Sequence, residues 1–299
     1  MGTSPSASPS GTQWHLSADG QEAVVVEVGG GLRAYSAAGE SIVDGYELDE
    51  LCPGCAGQVL APWPNRIRDG KYSFAGSSYQ LALTEPTRHN AIHGLACWLR
   101  WSCVDLAASS VTLQCDLPPT PGYPWPLRLR TAWSIGADGL TAAHEATNLG
   151  DHPAPFGMGT HPYVQLPGVP LADTVLRLPA QSRLLVDARL LPIGAAKVTG
   201  TEYDFTEPRR IGSAVLDSAF GDVIHDGDGR SVARLSTVDD SRAVEVWADG
   251  SFHWWQAFTG DTLAEPRRRR SVAIEPMTCP PDALRSGRDV VVLQPEETW

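Results

Sequence analysis

No apolar run in this 299-residue chain approaches the roughly 18 residues that a membrane-spanning helix requires, so helical membrane classes are excluded. Cysteine is scarce. The six present, at positions 52, 55, 97, 103, 115 and 279, are too few for a disulfide scaffold in a chain this long. Basic residues are short as well: 23 Lys and Arg against 35 Asp and Glu leave a formal net charge of −12. That balance argues against a duplex-binding face and against an anionic membrane, so no nucleic-acid or membrane partner is expected. No Asn-x-Ser/Thr acceptor occurs. The N-terminus lacks the cationic and apolar regions of a secretory signal, and the chain reads as cytoplasmic. Gly2 and Ser6 formally fit a myristoylation pattern, but the Ser/Pro composition reads more simply as a disordered tail over residues 1–12.

Helical patterning is also missing; no long apolar stripe recurs at helical spacing. Turn formers are plentiful instead, with 29 glycines and 24 prolines beside ten tryptophans. Both exceed average usage of about 7% and 5%, which suggests many short strands joined tightly. The β-branched run Ala23–Val28 ends in three glycines. Tyr72, Phe74, Tyr79, Leu81 and Leu83 alternate across the turn 75–78, a hairpin signature. Period two holds again over Val111–Leu117 and Leu127–Ile135, and further extended runs follow at Val244–Trp247, Phe252–Phe258 and Ser271–Glu275. Charged residues occupy alternate positions, as in sheets with one wet face. A short helical turn fits Pro281–Leu284. The fold class is therefore all-β and mostly antiparallel, a single large β-sandwich over residues 13–299.

Three local features admit more than one reading. Cys52-Pro53-Gly54-Cys55 invites zinc or redox chemistry, but there is no second CxxC and an extended, proline-ended run follows, so a turn is favoured. The run Arg267–Arg270 reads as a solvated loop. Of Trp254 and Trp255, one must face inward, and an exposed partner would suit a sugar face.

The chemistry-bearing residues are scattered. Glu275 in Glu-Pro-Met-Thr and His161 in Gly-Thr-His-Pro-Tyr each precede a proline, which pushes them toward extended backbone at strands. In Val272-Ala273-Ile274-Glu275 the apolar pair shares one face, so Glu275 points to the other beside a small neighbour. Gly157, Gly159 and Gly94 suggest room around His161 and His93. A carboxylate with two imidazoles can move a proton between oxygens near neutral pH. The same three could hold zinc, but no HxH or HExxH spacing supports a metal.

Five segments, in order, resemble the aldose 1-epimerase (galactose mutarotase) family from about Gly57 onward. They are Ala61-Pro-Trp-Pro-Asn65-Arg66-Ile67 with its following hairpin, Asn90-Ala-Ile-His93-Gly94, Thr160-His161-Pro-Tyr163, Leu216-Asp217-Ser218-Ala-Phe220, and Glu275-Pro-Met-Thr278 with the closing Gly287–Pro295. The resemblance implies a β-supersandwich holding a small-molecule aldose such as glucose or galactose, with no cofactor. It implies Glu275 as general base, His161 as general acid and His93 as a polarising donor, with Asn65, Arg66 and Asp217 gripping sugar hydroxyls. A monomer or homodimer is expected. Gly94 is followed by Leu95 where the better-known members carry a second glycine, and Ser218 stands where they often carry a second acid. A hexose-6-phosphate epimerase, with Arg68, Lys71, Arg88 and Arg100 as phosphate-binding cations, and a silent sugar-binding protein are the alternatives.

Overall fold

The computed structural model describes residues 8–299; the Gly2/Ser6 pattern lies outside the described residues. The chain is built from antiparallel strands, and its α-helical content among the described residues is one turn, Ala283–Ser286. No helix there is long and apolar enough to cross a membrane. The segment expected to be a loose tail is ordered from Ser8 onward. Ser8 Oγ donates to Leu48 O at 2.7 Å, and the Thr12 N–H donates to Glu27 Oε2 at 2.7 Å.

Two four-stranded sheets come first, Gln13–Ser41 and Ser102–Asn148. Their alternation is clean: in Leu127–Gly136 the odd-numbered side chains from Leu127 to Ile135 are buried and their neighbours are not. They enclose a core of Leu16, Val25, Trp63, Leu113, Trp133 and Phe156.

A central eight-stranded sheet follows. Its middle is Asp217–Val223, Trp254–Phe258 and Val272–Met277, with Gly159–Thr160 and Val59–Leu60 beyond. One face carries Phe220, Trp255, Ala257, Val272 and Ile274 into a second core with Leu176 and Leu235 from a smaller sheet. The middle strands are buried on both faces; every residue of Val272–Met277 is buried. Burial on both sides removes the polar half of a period-two pattern. The face turned away from the second core presents Asp217, Gln256 and Glu275.

Candidate active site

Register decides who meets whom. Gln256 lies directly opposite Glu275, and Asp217 opposite Phe258, on neighbouring antiparallel strands. Side chains two apart share a face, so Asp217, Gln256 and Glu275 form a polar patch running across three strands. His161 enters from the end of Gly159–Thr160, whose Gly159 pairs with Met277 two residues from Glu275.

A two-stranded ribbon supplies the rest. Arg66–Arg68 pairs with Asn90–Ile92, Arg66 opposite Ile92, which puts Asn65 and His93 together at one end. The His93 N–H donates to Asn65 O at 3.0 Å, and the Asn65 N–H donates to His93 Nδ1 at 3.3 Å. A neutral His93 accepting at Nδ1 carries its proton on Nε2, so it is a donor toward the site. His93 adopts φ 61°, a left-handed conformation costing about 1–3 kcal/mol in a non-glycine residue. The Asn65 side chain turns inward, its Oδ1 accepting from the Arg66 N–H at 2.9 Å. Asn65 thus orients His93 through its backbone.

The centre is a buried acid and imidazole in contact. His161 Nε2 lies 3.3 Å from Glu275 Oε1, with side chains 6% and 2% exposed. The His93 ring stands edge-on to His161 at 5.4 Å, and Tyr163 stacks on His161 at 4.9 Å. Burial pushes the Glu275 carboxyl well above the usual carboxylate range; the Asp217 charge adds to this and Arg66 opposes it. Burial pushes His161 down to about 4, and holds His93 well below the ordinary imidazole range. Both partners therefore favour their uncharged forms. A proton passed from the Glu275 carboxyl to His161 Nε2 across this contact would create the ion pair without changing total charge.

Three buried polar atoms around this pair have no partner among the described residues: Glu275 Oε2, His161 Nδ1 and Gln256 Oε1. Each unmet group costs about 1–3 kcal/mol, so a polar ligand has something to gain by meeting them. Gln256 Nε2 donates to Asp217 Oδ1 at 2.7 Å, and Arg66 Nη1 lies 3.9 Å from the same oxygen. Burial raises the Asp217 pKa, with Arg66 pulling the other way.

The six residues singled out from sequence therefore gather on one side of the central sheet. A model of the aldose 1-epimerase family matches residues 12–299. The chain belongs to this family. The Escherichia coli (strain K12) protein YihR is 32% identical over 286 residues, covering 95% of this chain and 90% of YihR. A Caenorhabditis elegans GalM/aldose epimerase homologue shares the fold at TM-score 0.85 and 18% identity, covering 96% of each chain. A galactose mutarotase-like protein of Clostridium acetobutylicum does so at TM-score 0.83 and 18% identity, covering 95% of this chain and 91% of its own.

Within this aldose epimerase fold, some expectations need correcting. The glycines do not open space for a ligand. A Cβ at Gly94 would strike Ala61 O and one at Gly159 would crowd Pro276 O, so these two let backbone segments approach closely, while one at Gly157 would strike the Cys279 thiol. Neither indole is an exposed platform, since Trp254 and Trp255 are 2% and 1% exposed. Trp254, on the site face, packs on Gly221 beneath the Arg288 guanidinium and donates to Asp289 Oδ2 at 2.8 Å. Trp255 faces the second core. The arginine run is more than a solvated loop: Arg267 and Arg270 pair with buried Asp44, and Arg269 with Asp261. Cys52–Cys55 does form a turn, with both thiols free.

Sequence reasoning missed Gln256 and Glu85. Gln256 sits within Trp254–Phe258, where four successive residues are buried and no alternation marks the polar one. Glu85 closes on Arg66 through Nε at 3.0 Å and Nη2 at 3.1 Å. An apolar cleft of about 280 Å³, lined by Tyr35, Trp133, Leu140, Val244, Phe252 and Pro276, lies on the other face of the Glu275 strand and holds none of these residues.

Proposed function

We propose that this protein is a mutarotase that interconverts the α and β anomers of an uncharged aldose by opening and reclosing its ring. The observation that carries the reading is the buried Glu275–His161 contact, with unpartnered Glu275 Oε2 and Gln256 Oε1 beside it. In this reading the proton first shifts from Glu275 to His161. The carboxylate then takes the proton of the anomeric hydroxyl. As C1=O1 forms, the C1–O5 bond breaks and O5 takes the His161 proton. Rotation about C1–C2 exposes the other carbonyl face, and the steps run in reverse with no net gain or loss of protons. His93 Nε2–H polarises the reacting oxygens. Arg66, Asp217 and Gln256 hold the remaining hydroxyls.

Acid–base placement of this kind is worth about 10²–10⁴-fold per group. A sugar-binding protein without catalysis would have no use for two groups held in uncharged forms that exchange one proton. Three of the four cations considered for a phosphate are already matched, and the fourth, Lys71, lies exposed at the start of Lys71–Phe74. Arg68 faces Asp187 at 3.4 Å, Arg88 faces Glu85 at 3.0 Å and Arg100 faces Glu27 at 2.7 Å. That pairing supports an uncharged sugar over a phosphate ester.

Polarimetry tests the reading. Fresh α-D-glucose, α-D-galactose and glucose 6-phosphate should equilibrate faster with the protein for at least one free sugar. A rate equal to buffer on every sugar refutes the enzyme, and a response confined to the phosphate ester refutes the uncharged substrate.

A further inference from the structure

Glu85 is a half-buried carboxylate that the proton transfer does not use, yet its contacts lead to the site. It begins the closed loop 85–90, whose ends exchange backbone hydrogen bonds, Glu85 N–H to Asn90 O at 2.9 Å and Asn90 N–H to Glu85 O at 3.2 Å. Its oxygens accept from Arg66 Nε and Nη2, from Arg88 Nη1 at 3.0 Å and from Asn90 Nδ2 at 2.9 Å. Asn90 is in turn fully buried and tied to Arg189, whose Nη2 donates to Asn90 Oδ1 at 3.2 Å. One edge of the Arg66 fork is thereby filled. Turning the guanidinium would break two charge-assisted bonds together.

What remains of Arg66 is Nη1. It lies 3.9 Å from Asp217 Oδ1, beyond direct hydrogen-bond reach, on the side where Gln256 and Glu275 lie. We propose that Glu85 is a positioning residue for sugar recognition: by occupying Nε and Nη2 of Arg66 it leaves Nη1 as the one guanidinium nitrogen offered to substrate hydroxyls. The inference rests on the mutarotase reading above and assigns Glu85 no contact with the sugar. Its carboxylate also offsets the Arg66 charge. Burial alone would raise the Glu85 pKa, but the bonds from Arg66 and Asn90 hold it below the usual range, so the clamp stays charged.

The test is a double-mutant cycle in Michaelis parameters, using the free sugar that responds best: wild type, Glu85→Gln, Arg66→Ala and the double variant. Glu85→Gln should raise KM about tenfold with kcat within about twofold, as expected when binding common to ground and transition states is lost. In the Arg66→Ala background the same change should alter KM by less than about twofold, because nothing is left to position. A purely structural Glu85 would lower the melting temperature and leave KM alone. That result, or an additive KM penalty in the double variant, overturns the inference. If Glu85→Gln does not fold, Glu85→Asp keeps the charge one methylene short and must show the same KM-selective defect; a normal KM there overturns it too. Wild type inactive on every sugar removes the mutarotase reading and this inference with it. An active wild type with unchanged KM in Glu85→Gln removes the positioning role alone.

Discussion

Consider the two faces of Val272–Met277. On one, Val272 and Ile274 meet Phe220, Leu235 and Trp255, and the Trp255 indole N–H donates to Ser231 Oγ at 3.0 Å. On the other, Glu275 lies as deeply buried beside His161 and Gln256, with Oε2 unpartnered. Equal burial has opposite consequences. The apolar face gains stability from every ångström removed from water, whereas the polar face gives some of it up to hold groups in forms that favour proton transfer. Stability and chemistry are therefore separable here between adjacent residues of one strand.

The largest expected effect is on the polar face. Glu275→Gln keeps the shape but removes the proposed base, and should slow catalysed mutarotation by about 10²–10⁴-fold while the protein remains folded. Polarimetry alongside far-ultraviolet circular dichroism reads both. A variant that keeps a tenth or more of wild-type activity would mean that another group accepts the anomeric proton.

One residue earlier the expectation inverts. Ile274→Ala removes buried methyl groups from the second core and should cost about 2–5 kcal/mol in denaturant unfolding. KM measured well below the melting temperature should stay within about twofold of wild type, because Ile274 points away from Glu275 and His161 into the second core. A selective rise in KM would show that the two faces are mechanically coupled.

This asymmetry also explains what was legible in the sequence. The motifs around His93, His161 and Glu275 were visible because prolines and glycines fix their backbone, and the Val-Ala-Ile-Glu alternation correctly put Glu275 opposite the core. The outer strands were legible from alternation. Gln256 was not, because its strand is buried on both sides. Glu85 was not, because its partner Arg66 lies 19 residues away and the two meet only when the loop after Glu85 folds back. Glycine was misread for a physical reason: its lack of a side chain serves close backbone contact as readily as ligand space, and only packing tells which.

The smallest effect is a change of slope, and its sign follows from the pair's opposite shifts. Glu275 has its folded pKa raised, so its favourable contribution is complete below the unfolded value of about 4.5 and is lost as pH climbs toward the folded value. His161 is lowered to about 4, so its contribution is complete above the ordinary value of about 6.5 and is lost as pH falls toward 4. Thermal melts from pH 5 to pH 8 should therefore show Glu275→Gln gaining on wild type as pH rises, since the variant has no carboxyl to ionise on unfolding. His161→Asn should gain on wild type as pH falls, whatever constant penalty it carries for the lost contacts with Glu275 and Tyr163. Each unit of pKa difference is worth about 1.4 kcal/mol, so both trends are measurable against that offset. Parallel curves for all three proteins would mean that Glu275 and His161 titrate in the folded state as they do in water, and the burial that prepares them for proton exchange would no longer account for the site.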